Sequence, residues 1–309
     1  MIKKIRNLFG KKGKAADIQE ASSEIPTIPV DTIRSERKEL PVQVPAHSEL
    51  PQLIVGCAQS IGMVRDHNED SILVMSSLSG NNGDYLPIGL FIVADGMGGH
   101  KYGEIASDIA IRTVASEILH RIVFGMVDPH SSAPEDGIQE ILETSVLEAH
   151  KIITKEAPGS GTTLTAALII GKQMSIAHIG DSRAYAIHPG GETEILTRDH
   201  SLVKRMIELG HLTEEEASVH PQRNVLYRAL GQGEPFKPDI TTEQIPAPGY
   251  LLLCSDGLWG QVSQEEMVKM VLENPAPEIA CQVLVDAANR AGGPDNISAI
   301  LVKLPDNLL

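Results

Sequence analysis

Four aspartates stand where an apolar run meets a short polar motif. FIVADGMGG carries Asp95, IAHIGDSR carries Asp181, LLLCSDGLW carries Asp256 and GGPDNISAILV carries Asp295. A further motif, VRDHNEDS, adds Arg65, Glu69 and Asp70 between two apolar runs. One aspartate at a strand end is ordinarily a turn former or a helix cap. Several carboxylates brought to one rim repel one another unless cations compensate them. Oxygen donors suit hard divalent ions, which favours Mg2+ or Mn2+ over zinc. Gly96 beside Asp95 and Gly257 beside Asp256 leave room for a backbone carbonyl or a cation-bound water to approach. The chemistry implied is metal-assisted hydrolysis.

Bringing these motifs together requires a fold whose strand ends share a rim. Ordered structure is expected from near Leu53. LIVGCAQS, SILVMSS and IGLFIVA read as strands, the last two separated by the turn-forming SGNNGD at 79–84. A helix is expected over about 103–123, where Ala106, Ala110, Val114, Ile118 and Ile122 recur every fourth position, and another over about 136–156. TTLTAALII, QMSIAHIG, SRAYAIH and TEIL form a second strand cluster whose short glycine-containing turns imply antiparallel pairing. Residues 198–234 read as a polar helix-and-loop insertion, with Thr213-x-x-Glu216 resembling a capping box. The strand YLLLCS, helices near 264–273 and 276–291, and the strand NISAILVKL complete the chain, the first of these helices capped by Ser263-x-x-Glu266. Strand clusters interleaved with helix pairs point to an α+β sandwich of stacked sheets rather than a doubly wound parallel sheet.

Composition narrows the class. The chain has 309 residues, 42% of them apolar, enough to bury a core. No apolar run reaches the roughly 20 residues that span a bilayer. Cys57, Cys254 and Cys281 are scattered in apolar surroundings, which suggests reduced core thiols in a cytoplasmic protein rather than disulfides or a zinc site. A net charge of −15 argues against a nucleic-acid partner. Lys3, Lys4, Arg6, Lys11, Lys12 and Lys14 nevertheless crowd residues 1–14 without an acid. Residues 15–50 hold Pro26, Pro29, Pro41 and Pro45 and no sustained period, so 1–50 reads as a basic N-terminus and flexible linker ahead of a domain over 51–306.

In order and spacing, RDHNEDS, ADGMGGH, GDSR, CSDGLW and PDNIS resemble the PP2C-type (PPM) protein phosphatases, most of all the bacterial serine/threonine phosphatases, over about residues 53–304. GSGTTLTAAL, RDHSL, HPQRN and RALG agree. The resemblance implies a four-layer α-β-β-α sandwich of two mainly antiparallel sheets flanked by helix pairs, with 198–234 as a flap beside the site. It implies that Asp95 bridges two Mn2+ or Mg2+ ions, with the Gly96 carbonyl on one and Asp256 and Asp295 on the other. Glu69 and Asp70 would hold cation-bound waters, and Asp181 a third, weaker ion shared with Asp256. Arg65 would grip the substrate phosphate, its planar fork matching two oxygens. A cation-bridging hydroxide would then hydrolyse phosphoserine or phosphothreonine in proteins without a phosphoenzyme, opposing serine/threonine kinases. Some eukaryotic members place a histidine after the DG pair as general acid. Here that position is Met97, and His67 and His100 read as surface or hydrogen-bonded residues, so no acid is assigned.

Other readings fare less well. Cysteine-based phosphatases need an arginine six residues after the nucleophile, where this chain has Met63, Gly260 and Ala287. The GDxHG and GNHE motifs of calcineurin-like enzymes are missing. GSGTT at 159–163 lacks the lysine of a phosphate-binding loop and reads as a turn. A catalytically inactive phosphoprotein-binding or scaffolding relative would have lost a ligand, and none is lost. A phosphatase of anti-anti-sigma factors would share the scaffold, but the intact flap favours a general kinase-opposing enzyme. For residues 1–14 a solvated, frayed terminus is the simpler reading, against weak contact with an anionic membrane through Ile2, Ile5, Leu8, Phe9 and the basic charges. Deleting residues 1–14 and measuring co-sedimentation with anionic liposomes separates the two: unchanged binding removes the membrane reading.

Overall fold

The computed structural model describes residues 50–306 except 82–83, 99–101, 128–136 and 234–235. They belong to a compact unit spanning Ser48–Leu309. The expectations for residues 1–14, for nearly all of the 1–50 linker and for His100 lie outside the described residues.

Short, near-continuous apolar runs build two sheets whose central strands are buried on both faces. Strands β1 (Ile54–Ser60), β7 (Arg183–Ile187), β8 (Thr193–Ile195), β10 (Gly249–Cys254) and β11 (Ile297–Leu304) form the first, in the order β1-β11-β10-β7-β8. Strands β2 (Asp70–Asn81), β3 (Asp84–Met97), β5 (Leu164–Ile170), β6 (Gln173–Ile179) and β9 (Asp239–Gln244) form the second, in the order β2-β3-β5-β6-β9, with the short β4 (Gly161–Thr162) paired to β3. Every described strand pairing is antiparallel.

On β3, Phe91 and Val93 join Ala167, Ile169, Leu251, Leu253, Ile300 and Val302 in a core between the sheets. The intervening Leu90, Ile92 and Ala94 face the opposite way, into a core shared with helices α1 (Gly103–Ile118) and α3 (Ile138–Glu156). A third core packs Leu252, Cys254, Ala299 and Leu301 against α7 (Gln264–Glu273) and α8 (Pro277–Arg290). Three cores between four layers give the α-β-β-α sandwich that the resemblance implies. Among the described residues, no helix is long and apolar enough to cross a membrane.

Local chemistry explains most boundaries. Both expected capping boxes form, at Thr213 for α5 (Glu214–Ser218) and at Ser263 for α7. The helix expected over 103–123 is not one continuous α-helix. Positions four apart drift by about 40° per step around an α-helix, so the stripe from Ala106 to Ile118 would carry Ile122 off the packed face. A π turn over Leu119–Val123 inserts an extra residue ahead of α2 (Phe124–Val127), and Ile122 stays buried.

Other expectations need correction. The turn at 79–84 is shorter, because β2 and β3 pair as far as Asn81 and Asp84. Strand β9 has no signal in the sequence, since DITTEQ is polar and four of its six residues are exposed. The four-residue helix α6 (Asp256–Trp259) is too short to show a period. Cys254 and Cys281 are buried thiols, whereas Cys57 is exposed on the edge strand β1.

Truncating Phe91, fully buried between the sheets, is expected to cost about 3–5 kcal/mol. Urea unfolding of Phe91→Ala should show that loss as a lower midpoint with an unchanged slope.

Candidate metal centre

The rim is assembled by strand register. Asp70, the first residue of β2, lies directly opposite Asp95 near the end of β3. On the other sheet β10 and β11 are neighbours, which brings Asp256, the first residue of α6, to the same rim as Asp295 just before β11. The two sheets are stitched together at this point. Ser255 Oγ and Ser298 Oγ donate to the same oxygen of Asp70, at 2.8 and 2.7 Å. Asp95 is fixed through its backbone: its N–H donates to Thr163 Oγ1 at 2.9 Å, and its carbonyl accepts from Thr162 Oγ1 and from the Thr163 N–H, both at 2.9 Å. The GSGTT segment is therefore no phosphate cradle but the strand edge that holds Asp95.

The two glycines beside aspartates serve close packing. A Cβ on Gly96 would lie 2.3 Å from the Gly103 carbonyl oxygen and 2.5 Å from that of Glu69. One on Gly257 would lie 2.0 Å from the Asn296 oxygen. Of the two uses expected of them, approach of a backbone carbonyl is the one seen.

The loop carrying Arg65 and Glu69 is held by Asn296. Its Oδ1 accepts from the Glu69 N–H at 2.8 Å, and its Nδ2 donates to the carbonyls of Ile61 and His67 at 3.0 and 2.9 Å. Arg65 Nη2 donates to Asp295 Oδ2 at 2.8 Å, and Nη1 lies 3.9 Å from Glu69 Oε2. The Arg65 side chain is 46% exposed.

Electrostatics mark this rim as unusual. Burial pushes the Asp70 carboxyl up to about 7; the two serine hydroxyls offset part of this, and repulsion from Asp256 and Asp295 adds to it. Burial and then Asp295 push Asp256 up to about 6, with Asp95 and Arg65 acting the other way. Asp95 is held well above the usual carboxylate range by burial and by Asp70, Asp256, Asp181 and Asp295. Asp181 is raised by burial, Asp256 and Asp199 against the pull of Arg183.

Among the described residues, Asp70 Oδ1, Asp256 Oδ1 and Glu104 Oε2 are buried without a hydrogen-bond donor. Partnerless buried carboxylate oxygens are rare and costly. Unpaired carboxylate oxygens are the donor type that suits a hard divalent cation. Beside them His67, Glu69 and Glu104 offer ligand atoms that all lie within 4.8 Å of one another, a cluster that could hold a divalent metal.

The structure thus gathers Arg65, Glu69, Asp70, Asp95, Asp256 and Asp295 at one rim. Asp181 lines the same cleft as Arg65, Asp256 and Asp295, with a volume of about 520 Å³. Met97 pairs with Gly161 and brings no titratable group. His67 is exposed and hydrogen-bonded, as expected: its Nδ1 lies 2.5 Å from Asp66 Oδ1, and its Nε2 lies 3.6 Å from Glu69 Oε1. Glu104, Asn296, Ser255, Ser298 and Thr163 were not singled out by their sequence. Glu104 in the first turn of α1 looks like an ordinary partner of the helix dipole, and the others are small polar residues whose partners are remote in sequence.

A family model described as protein phosphatase 2C matches residues 57–297. The chain belongs to the protein phosphatase 2C family. It is 34% identical over 243 residues to a putative protein phosphatase 2C-type of Streptococcus pyogenes, covering 78% of this chain and 94% of that one. It is 36% identical to the serine/threonine phosphatase stp of Listeria innocua over 78% of this chain and 92% of the relative. The crystal structure of the Mycobacterium tuberculosis serine/threonine phosphatase PstP/Ppp superposes with a TM-score of 0.67 at 32% identity, over 82% of this chain and 99% of that one. As a member of this family, the chain is a hydrolase.

The raised carboxyls make a prediction for chelated protein. Asp70 and Asp256 titrate near 7 and 6 when folded, against 3.8 ordinarily. Between those values the folded state binds more protons than the unfolded state, so stability falls as pH rises from about 4 to about 7. Urea unfolding in excess EDTA should show that fall, and excess Mn2+ should reverse it near pH 7. A flat or rising profile in EDTA would contradict the assignment.

Proposed function

We propose that this chain hydrolyses phosphoserine and phosphothreonine in proteins, using two core Mn2+ or Mg2+ ions and a third at Asp181. The observation that carries this reading is the set of buried, closely spaced aspartates, two of them with an oxygen that lacks a donor, at the rim of a cleft lined by an exposed arginine. The resemblance is supportive: one similar structure, of the PstP catalytic domain, is described as a complex with two manganese ions, at 31% identity and a TM-score of 0.66.

In this reading Asp95, Asp256 and Asp295 are direct ligands, with the Gly96 carbonyl. Asp70 and Glu69 act around them, and His67 and Glu104 extend the acidic side of the centre. When bound, the cations lower the pKa of a shared water so that it can attack phosphorus and offset charge on the phosphoryl oxygens. The chain's own residues bind and orient. Arg65 offers its fork to two phosphate oxygens, and Asn296 fixes the backbone that carries it. No protein nucleophile takes part, so no phosphoenzyme forms.

Residues 51–306 act as the catalytic domain, with 198–234 as the flap along the cleft. The partners are phosphorylated proteins made by serine/threonine kinases. The free thiols fit work in the reducing cytoplasm.

Asp95→Ala is expected to lower Mn2+-dependent hydrolysis of p-nitrophenyl phosphate by at least about 100-fold, the loss of several kcal/mol of charge stabilisation. Arg65→Ala should act mainly by raising KM for a phosphothreonine peptide. Full activity of Asp95→Ala, no activity in the wild type, or a stoichiometric phosphoenzyme after acid quench would each defeat the reading.

A further inference from the structure

The RDHSL motif carries no role in the chemistry above, yet Asp199 and His200 are among the most buried polar residues of the chain, 6% and 1% exposed. Both reach the turn that presents Asp181. On one side, residues 180 and 200 exchange reciprocal bonds: the His200 N–H donates to the Gly180 carbonyl at 2.7 Å, and the Gly180 N–H donates to His200 Nδ1 at 3.1 Å. Nδ1 is therefore the unprotonated nitrogen, and Nε2–H faces Asp239 Oδ2 at 3.1 Å.

On the other side, Asp199 takes the Arg183 guanidinium in a two-oxygen grip at 2.7 and 3.0 Å. Arg183 lies over the Trp259 ring, 3.6 Å from its centroid. Trp259 Nε1 in turn donates to the Asp181 carbonyl at 3.0 Å. Asp181 is thus flanked by a closed ring of contacts that begins and ends in two consecutive residues.

The next residue, Ser201, caps helix α4 (Leu202–Glu208), whose Val203 and Ile207 line the cleft. We propose that Asp199 and His200 are positioning residues. They lock the Asp181 turn to the base of the 198–234 segment and thereby set the affinity of the cation site at Asp181. This rests on the reading of Asp181 as an auxiliary cation residue. The ring contacts fix the backbone from which the Asp181 carboxylate projects, and outer partners that orient a ligand typically change metal affinity by about 10–100-fold.

The test is calorimetric titration with Mn2+ alone of full-length wild type, D181N, D199N, H200Q and H200N, with thermal melts in EDTA for each. D181N should abolish the weakest Mn2+ step. D199N and H200Q should weaken that step by about 10-fold or more, leaving the tighter steps within about twofold. In H200N the amide Oδ1 stands where Nδ1 accepts from Gly180, so it should keep the weakest step within about threefold, even if its Tm falls as far as that of H200Q. If D181N removes the step while D199N and H200Q leave it unchanged, the proposal is wrong although the assignment of Asp181 survives. Equal losses in H200N and H200Q, or weakening of every step in parallel with Tm, would reduce the pair to a structural role. If D181N leaves all steps in place, the Asp181 assignment itself fails, and the proposal with it.

Discussion

A carboxylate that leaves water must gain donors or a cation, and this rim supplies its aspartates with only part of that compensation. Asp70 receives two serine hydroxyls on one oxygen and none on the other. Asp95, Asp181 and Asp256 are each pushed toward protonation by burial and by neighbouring carboxylates, Asp256 by Asp295. Such an arrangement holds electrostatic free energy that a divalent cation bound there would release. The scaffold must be stiff enough to hold the charges together, and much of the remaining structure answers that demand.

Stiffness comes from two directions. Three apolar cores fix both sheets and their helices, and the inter-sheet core runs beneath the rim. Above it, short polar side chains tie the rim together: Thr163 holds the Asp95 backbone, Asn296 holds the backbone of the Glu69 loop, and Ser298 spans from one sheet to the Asp70 carboxylate in the other. Gly96 and Gly257 let backbone approach where no Cβ fits. These contacts preset the positions of the carboxylates proposed as ligands.

Arg65 is placed differently. It pairs with Asp295 in a largely solvated setting, 46% exposed on its side of the pair. An ion pair of this kind is weak, so a phosphate can compete for the guanidinium at little cost. The aspartates are buried and the arginine is exchangeable, which in the proposed reading would suit a site that keeps its cations and turns over its substrate.

The periodicities in the chain were sufficient for the layers. The short apolar runs IGLFIVA, LTAALII and YLLLC specified strands buried on both faces, and the fourfold recurrence after residue 103 specified a packed helix. Motif order pointed to the carboxylates and Arg65, because an aspartate ending an apolar run keeps its identity however the chain folds. What the chain could not display were relations between distant residues. The π turn answers a drift that appears only once the helix packs. Strand β9 is polar and exists because β6 offers it an edge. Asn296, Ser255 and Ser298 are unremarkable polar residues in sequence. They matter because folding puts Ile61, His67, Glu69 and Asp70 within hydrogen-bonding reach of them. The sequence by itself determined which carboxylates and which arginine could do chemistry. Only the tertiary structure decided how deeply they are buried, which of their oxygens lack a donor and how strongly they repel, since desolvation and charge repulsion depend on distances between residues far apart in the chain.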